Sequence, residues 1–141
     1  MEWQRKSGAF FSSNFVAVQI YTTWGGLKTL YYMADEIKIT VKQGAKTRFV
    51  NAEDVFYIES IGRKAVLHLA EEIIEYYAKI SDLEKQLYPE FFRIHRAYLV
   101  NLKYVESFNK REVLLKNGDA ILISKYRLAE FQMVVSKKEN V

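Results

Sequence analysis

The 141-residue chain contains no cysteine. That excludes a disulfide scaffold, an iron–sulfur centre and a thiolate zinc site, and it suits a reducing, cytoplasmic address. Its two histidines, His68 and His95, are too few to build a metal site from imidazole. One proline and six glycines exclude collagen-like and low-complexity classes. No P-loop, G-x-G-x-x-G or G-x-S-x-G run occurs, so neither a nucleotide cradle nor a hydrolase nucleophile is indicated. Glu71, Glu72 and Glu75 read as a solvated edge. His68, inside the alternating Val66-Leu67-His68-Leu69, reads as structural. These absences lead us to expect a non-enzymatic protein with no catalytic residue, cofactor, metal ion or small-molecule substrate.

What is present is apolar and mildly basic. Hydrophobic residues make up 50% and aromatics 15% of the chain, enough for one packed core at this length. Lysine and arginine exceed aspartate and glutamate by 21 to 17, with a pI near 9.2. The average hides a split. Residues 53–90 hold four cations and nine anions, net −5, whereas residues 91–127 hold eight and three, net +5. A basic face suited to phosphate is one explanation, and a chance distribution of surface charge is the other.

The first 33 residues differ in composition from the rest. Ala9 to Met33 carries a single charge, Lys28, and is long enough to span a bilayer. Its serines, threonines and the Gly25-Gly26 pair dilute it, and no signal-peptide cleavage site follows. The segment is read as a loosely ordered or docked tail, as a membrane-surface contact through residues 9–33, or as a consequence of start-site choice, since Met33 can itself begin a chain. The boundaries expected are 1–33 for this segment and 34–141 for the domain.

From Asp35 onward, short β patterns alternate with turns. Ile37 to Val41 has the strand period, Gln43-Gly44-Ala45-Lys46 turns, and Thr47 to Val50 returns. Val55 to Ile58, Lys64 to Leu69 and residues 72–77 are further strands, with a turn at Ser60-Ile61-Gly62-Arg63. Ser81-Asp82-Leu83-Glu84 has the form of a capping box and starts a short helix near 82–88, which Pro89 stops. In Phe91-Phe92-Arg93-Ile94-His95-Arg96, strand parity puts Phe92 and Ile94 on one face and would bury Arg96 beside them. The strand therefore ends near His95, and Arg96 projects from a turn. Asn117-Gly118 between β-rich runs predicts a type I′ hairpin. Ser124 reads as the N-cap of a C-terminal helix near 125–136. The fold class expected is mainly β, built of small antiparallel sheets.

The cations on turns carry the functional reading. Arg63 and Lys64 flank a hairpin turn, Arg93, His95 and Arg96 precede Tyr98, and Lys125 and Arg127 bracket a helix start. Basic side chains on turns can enter a DNA groove or hold its phosphates. The order of motifs resembles the LytTR DNA-binding domain of bacterial transcriptional regulators. It runs Ile58-Glu59-Ser60, a basic turn, Phe91-Phe92-Arg93-Ile94-His95-Arg96-Ala97-Tyr98-Leu99-Val100-Asn101, Asn117-Gly118 and Ser124-Lys125, over about residues 36–137. The resemblance implies three small antiparallel sheets in an elongated sandwich. It also implies loops in successive major grooves and a homodimer on direct promoter repeats of double-stranded DNA. By motif position it implies DNA contacts from Arg63, Lys64, Arg96, Lys125, Tyr126 and Arg127, with His95 orienting its loop and Asn101 satisfying backbone groups at a turn; Arg93 and His95, clustered with Arg96, complete the expected DNA-binding set. Lys125 stands where many members have arginine. Such domains often follow a phosphoacceptor receiver of a two-component response regulator or a membrane sensor, neither of which fits in 33 residues. The expectation is a regulator of its own or an output domain. The competing expectation is a protein-interaction module, membrane-associated through residues 9–33. Single-stranded RNA binding is disfavoured, because the aromatics alternate into core faces.

Overall fold

The computed structural model describes residues 15–21, 25–33 and 36–139. The chain divides into two compact units, one up to residue 36 and one from residue 37. In the first, β1 (Phe15–Tyr21) and β2 (Leu27–Met33) pair antiparallel, Phe15 opposite Met33 and Tyr21 opposite Leu27. The expectation of a loose tail over residues 1–33 otherwise falls outside the described residues.

The second unit begins with β3 (Lys38–Gln43) and β4 (Lys46–Asn51), joined by Gly44-Ala45. β5 (Val55–Ile61) and β6 (Lys64–Leu69) are joined by Gly62-Arg63. In both two-residue turns only the glycine takes positive φ, +64° at Gly44 and +60° at Gly62. That is the type II′ geometry, whose twist matches that of the strands it joins. Then follow β7 (Ile73–Tyr77), α1 (Ile80–Gln86), β8 (Phe91–His95), β9 (Tyr98–Asn101), β10 (Val105–Phe108), β11 (Glu112–Leu115), β12 (Ala120–Leu122) and α2 (Leu128–Glu139). Short 3-10 turns at Ala52–Asp54 and Leu102–Tyr104 carry the chain from β4 to β5 and from β9 to β10.

The strands of the second unit form three antiparallel sheets: β3-β4, β7-β6-β5-β9-β8 and β10-β11-β12. Strand alternation gives the five-stranded sheet two apolar faces and the unit two cores. Ile58, Leu67, Ile74, Phe91 and Leu99 face Ile39, Val41 and Val50 of the two-stranded sheet together with Ile80 and Leu83 of α1. Tyr57, Phe92, Ile94 and Val100 face Val113, Leu115 and Ile121 of the three-stranded sheet together with Phe131 of α2. The mainly β class and the small antiparallel sheets are as the sequence indicates, and no helix crosses residues 91–101.

Three local expectations are corrected. Helix α1 starts at Ile80 after Lys79, with no side-chain cap, so the Ser81–Glu84 box does not form. The earlier start brings Ile80 into the core, where it is 7% exposed, and burial outweighs one capping bond. The Asn117-Gly118 turn is not type I′, because Gly118 (φ +94°) has positive φ and Asn117 does not. Gly118 N donates to Leu115 O, and Asn117 Oδ1 accepts from Asp119 N. The result is a three-residue loop closed by a glycine bulge. Helix α2 starts at Leu128 rather than near 125, because Ser124 spends its hydroxyl on a turn that precedes it.

Candidate nucleic-acid interface

The turn between β8 and β9 is the centre of the site. Register slips between Arg93 and His95, leaving Ile94 as an extra residue on β8. Such a bulge frees a carbonyl from the ladder. Here Ile94 O accepts from Ser124 N at 2.8 Å, which fixes the start of the 124–127 turn to the end of β8. On the other side, Ser60 N donates to Ala97 O at 2.8 Å, which fixes the β5 strand before the Gly62-Arg63 turn. The three cationic turns of the sequence reading are thus joined through one short loop, residues 95–97.

Arg93 holds that loop. Its Nη2 donates to Arg96 O at 2.6 Å, its Nε to His95 O at 3.3 Å, and its Nη1 to Glu84 Oε1 of α1 at 3.0 Å. His95 also looks inward, since its Nδ1 accepts from Ala97 N at 3.1 Å. The neutral ring then carries its proton on Nε2. Arg96 differs from both. Its backbone is held, its side chain is exposed, and its guanidinium has no partner among the described residues.

The 124–127 turn divides in the same way. Ser124 Oγ accepts from Tyr126 N at 3.2 Å, and Arg127 N donates to Ser124 O. Arg127 is committed to the protein. Its Nε donates to Arg93 O at 2.9 Å, its guanidinium lies 4.9 Å over the Phe92 ring, and its Nη1 pairs with Glu130 at 3.0 Å. Lys125 and Tyr126 face outward, with the Lys125 ammonium 5.2 Å from the Tyr126 ring and Tyr126 83% exposed. At the β5–β6 turn Arg63 is exposed, whereas Lys64 lies 4.0 Å from Glu75 and 5.4 Å over Tyr77.

Two open recesses flank the 95–97 loop. One, of about 640 Å³, lies among Arg63, Tyr77, Lys79 and Arg93. The other, of about 540 Å³, is bordered by His95, Arg96, Lys110, Arg111 and Lys125 over a floor of Leu122 and Ile123. Among the described residues no carboxylate lines either recess. The sequence reading missed Lys79, Lys110 and Arg111. The available signal was Asn109-Lys110-Arg111-Glu112, a polar run between Phe108 and Val113, but no periodicity there marked a hairpin. Lys103 lies elsewhere and is occupied: its Nζ is 2.9 Å from Glu53 Oε1, a hydrogen bond that holds the ammonium above its ordinary pKa. Asn101 is buried, donates to Val55 O and accepts from Lys103 N, the backbone role expected of it. His68 stacks on Tyr57 at 4.0 Å and pairs with Glu59 at 3.2 Å. Among the described residues no group of acids and histidines is placed to hold a metal ion, and no helix is long and apolar enough to cross a membrane.

Known proteins resemble this chain in sequence and in fold. Accessory gene regulator protein A of Staphylococcus epidermidis is 31% identical over 97 residues, 66% of this chain and 40% of that protein. The same regulator of Staphylococcus aureus is 32% identical over 85 residues. The CO-responsive transcriptional regulator RcoM of Rhodospirillum rubrum is 36% identical over 76 residues, 53% of this chain and 32% of that protein. The chain therefore spans well under half the length of these relatives. A LytTr DNA-binding domain of a putative methyl-accepting/DNA response regulator from Bacillus cereus superposes with a TM-score of 0.62, covering 72% of this chain and 98% of the other at 19% identity, a likeness of fold. The model of the LytTr DNA-binding domain matches residues 45–136, more than half of the chain, and the protein belongs to that family.

Proposed function

We propose that this domain binds double-stranded DNA sequence-specifically, inserting its turns into the major groove, and that it acts as a bacterial transcriptional regulator in the cytoplasm. The observation that carries this is Arg96, whose guanidinium has no partner among the described residues and sits on a loop whose carbonyls Arg93 grips at 2.6 and 3.3 Å. An ordered backbone under a free arginine is preorganised for a bidentate contact with guanine O6 and N7. Arg63 and Lys125 flank it as further readers or phosphate contacts, and Tyr126 adds an exposed ring beside the backbone. Arg93, His95 and Arg127 act as positioning residues, because their polar groups are spent on the loops that carry the readers. Lys64 supplies positive field near Glu75.

The relatives are named as regulators of genes, and a role in transcription follows from membership of their family. Two copies on adjacent direct repeats would double the number of base contacts, so a homodimer on DNA belongs to this reading. Selection of binding sites from random duplex DNA tests it. The expected result is an enriched repeat motif. Purely electrostatic binding without enrichment would instead support a protein-interaction module.

A further inference from the structure

We infer that the β10–β11 turn, through Lys110 and Arg111, forms an additional phosphate clamp beside the reading loop. The inference rests on the DNA-binding reading above and extends it to a fourth element, to which neither the family motif nor the sequence reading pointed. The turn is built to be rigid. Asn109 Oδ1 accepts from both Arg111 N at 2.7 Å and Glu112 N at 2.9 Å, and Asn109 N donates to Glu112 O at 3.0 Å. The turn is also fixed relative to the reader. Arg111 O accepts from Ile123 N at 2.9 Å, and the next residue, Ser124, donates its N–H to Ile94 O at 2.8 Å. Two consecutive backbone bonds therefore run from the turn to β8, one residue before His95.

The side chains are free to act. Lys110 and Arg111 are exposed, and neither has an ion pair among the described residues. They border the same recess as Arg96 and Lys125, and among the described residues no carboxylate lines it. Four cations around one open hollow repel one another, and an anion seated among them relieves that repulsion. A single small anion would occupy only part of a recess of about 540 Å³ that opens to solvent. The stretched phosphate line of a duplex strand fits it better. Lys110 and Arg111 then hold the strand bordering the groove that Arg96 enters, which sets register without reading sequence.

The test compares Lys110→Ala/Arg111→Ala with the wild-type chain on the selected duplex and on a scrambled one, at 50 to 200 mM salt. Lys42→Ala/Lys46→Ala, at exposed strand positions beside the β3–β4 turn and outside the recess, removes the same charge as a control. Two lost phosphate contacts should flatten the slope of log K against log salt by about 1.8, at 0.9 per contact. The variant's deficit relative to wild type should then shrink about tenfold across that range, equally on both duplexes, while the control keeps the wild-type slope. Lys110→Gln/Arg111→Gln serves in its place if the alanine pair fails to fold. A slope equal to the control's overturns the clamp. A deficit confined to the selected duplex also overturns it, since that would mark base reading. If the wild-type chain enriches no sequence and binds no duplex, the DNA-binding reading fails first and the clamp with it.

Discussion

Arg93 and Arg96 lie three residues apart and use their guanidinium groups in opposite ways. Arg93 donates to two carbonyls and one carboxylate of its own protein, whereas Arg96 offers its carbonyl and its guanidinium has no partner among the described residues. Strand parity alone placed Arg96 outside the sheet, because an arginine on the Phe92–Ile94 face would be buried without a partner. Parity could not distinguish a reader from a brace, since the Glu84 carboxylate that recruits Arg93 comes from a helix nine residues earlier. The distinction is measurable. Arg96→Ala should weaken the selected site by about 1–3 kcal/mol while leaving scrambled DNA nearly unchanged. Lys116→Ala, on the exposed β11–β12 loop, should at most weaken both alike. Lys103→Ala should barely affect either, because Glu53 already holds that ammonium. Titration of each variant on both duplexes at several salt concentrations decides. Equal losses for Arg96→Ala would make it a phosphate contact.

At the scale of elements, what the sequence disclosed depended on whether a segment obeyed a single period. β3, β5, β6, β7 and β8 alternate or run β-rich between turn residues, and all were legible. β10 was not, because its register slips between Val105 and Ser107 and the bulge destroys the alternation. With β10 unseen, the turn after it, and so Lys110 and Arg111, went unseen as well. The starts of the two helices shifted for other reasons: burial of Ile80 draws α1 forward, and the turn that holds the Ser124 hydroxyl delays α2. Asn101 is a case where chemistry was legible without contacts. A polar residue at the end of an apolar strand has to serve backbone, and it does so for β5 through Val55 O and for the following 3-10 turn through Lys103 N. Asn101→Ala removes the partner of a buried carbonyl at Val55 and of a partly buried N–H at Lys103 and should cost about 1–3 kcal/mol. Urea unfolding checks it: the midpoint should fall with the m-value unchanged.

The whole second unit is held by two cores, and each buries a tyrosine. Burial pushes Tyr76 up to about 12, and burial followed by the charges of Asp119 and Glu59 raises Tyr57 as well. An unfolded tyrosine loses its proton near pH 10. Between about pH 10 and 12 the folded state therefore binds more protons than the unfolded one, and stability falls as pH rises through that window. Below pH 10 both states are protonated and these residues give stability no pH dependence. Tyr76→Phe should make the alkaline fall shallower without abolishing it, since Tyr57 remains. Thermal unfolding at pH 8, 10 and 11 measures this, and an unchanged alkaline slope would show that Tyr76 titrates normally.

The two units differ in charge. The split of charge along the chain, −5 over residues 53–90 and +5 over 91–127, lies wholly within the second unit, and every cation proposed to contact DNA does too. The first unit contributes the β1–β2 hairpin, in which Lys28 is the one charged residue among the paired positions. An element with so little charge adds little to the counterion release that dominates DNA affinity. The second unit has its own two cores, three sheets and both helices, so it carries the packing a domain needs to fold alone. A chain beginning at Met33 should accordingly keep its specific affinity within tenfold of the full chain, a difference below about 1.4 kcal/mol, and should show the same salt slope. Titrating both chains on the selected duplex tests the division of labour. A larger loss with an unchanged slope would assign the hairpin a part in pairing two copies on DNA, and a larger loss with a flattened slope would assign it contacts of its own.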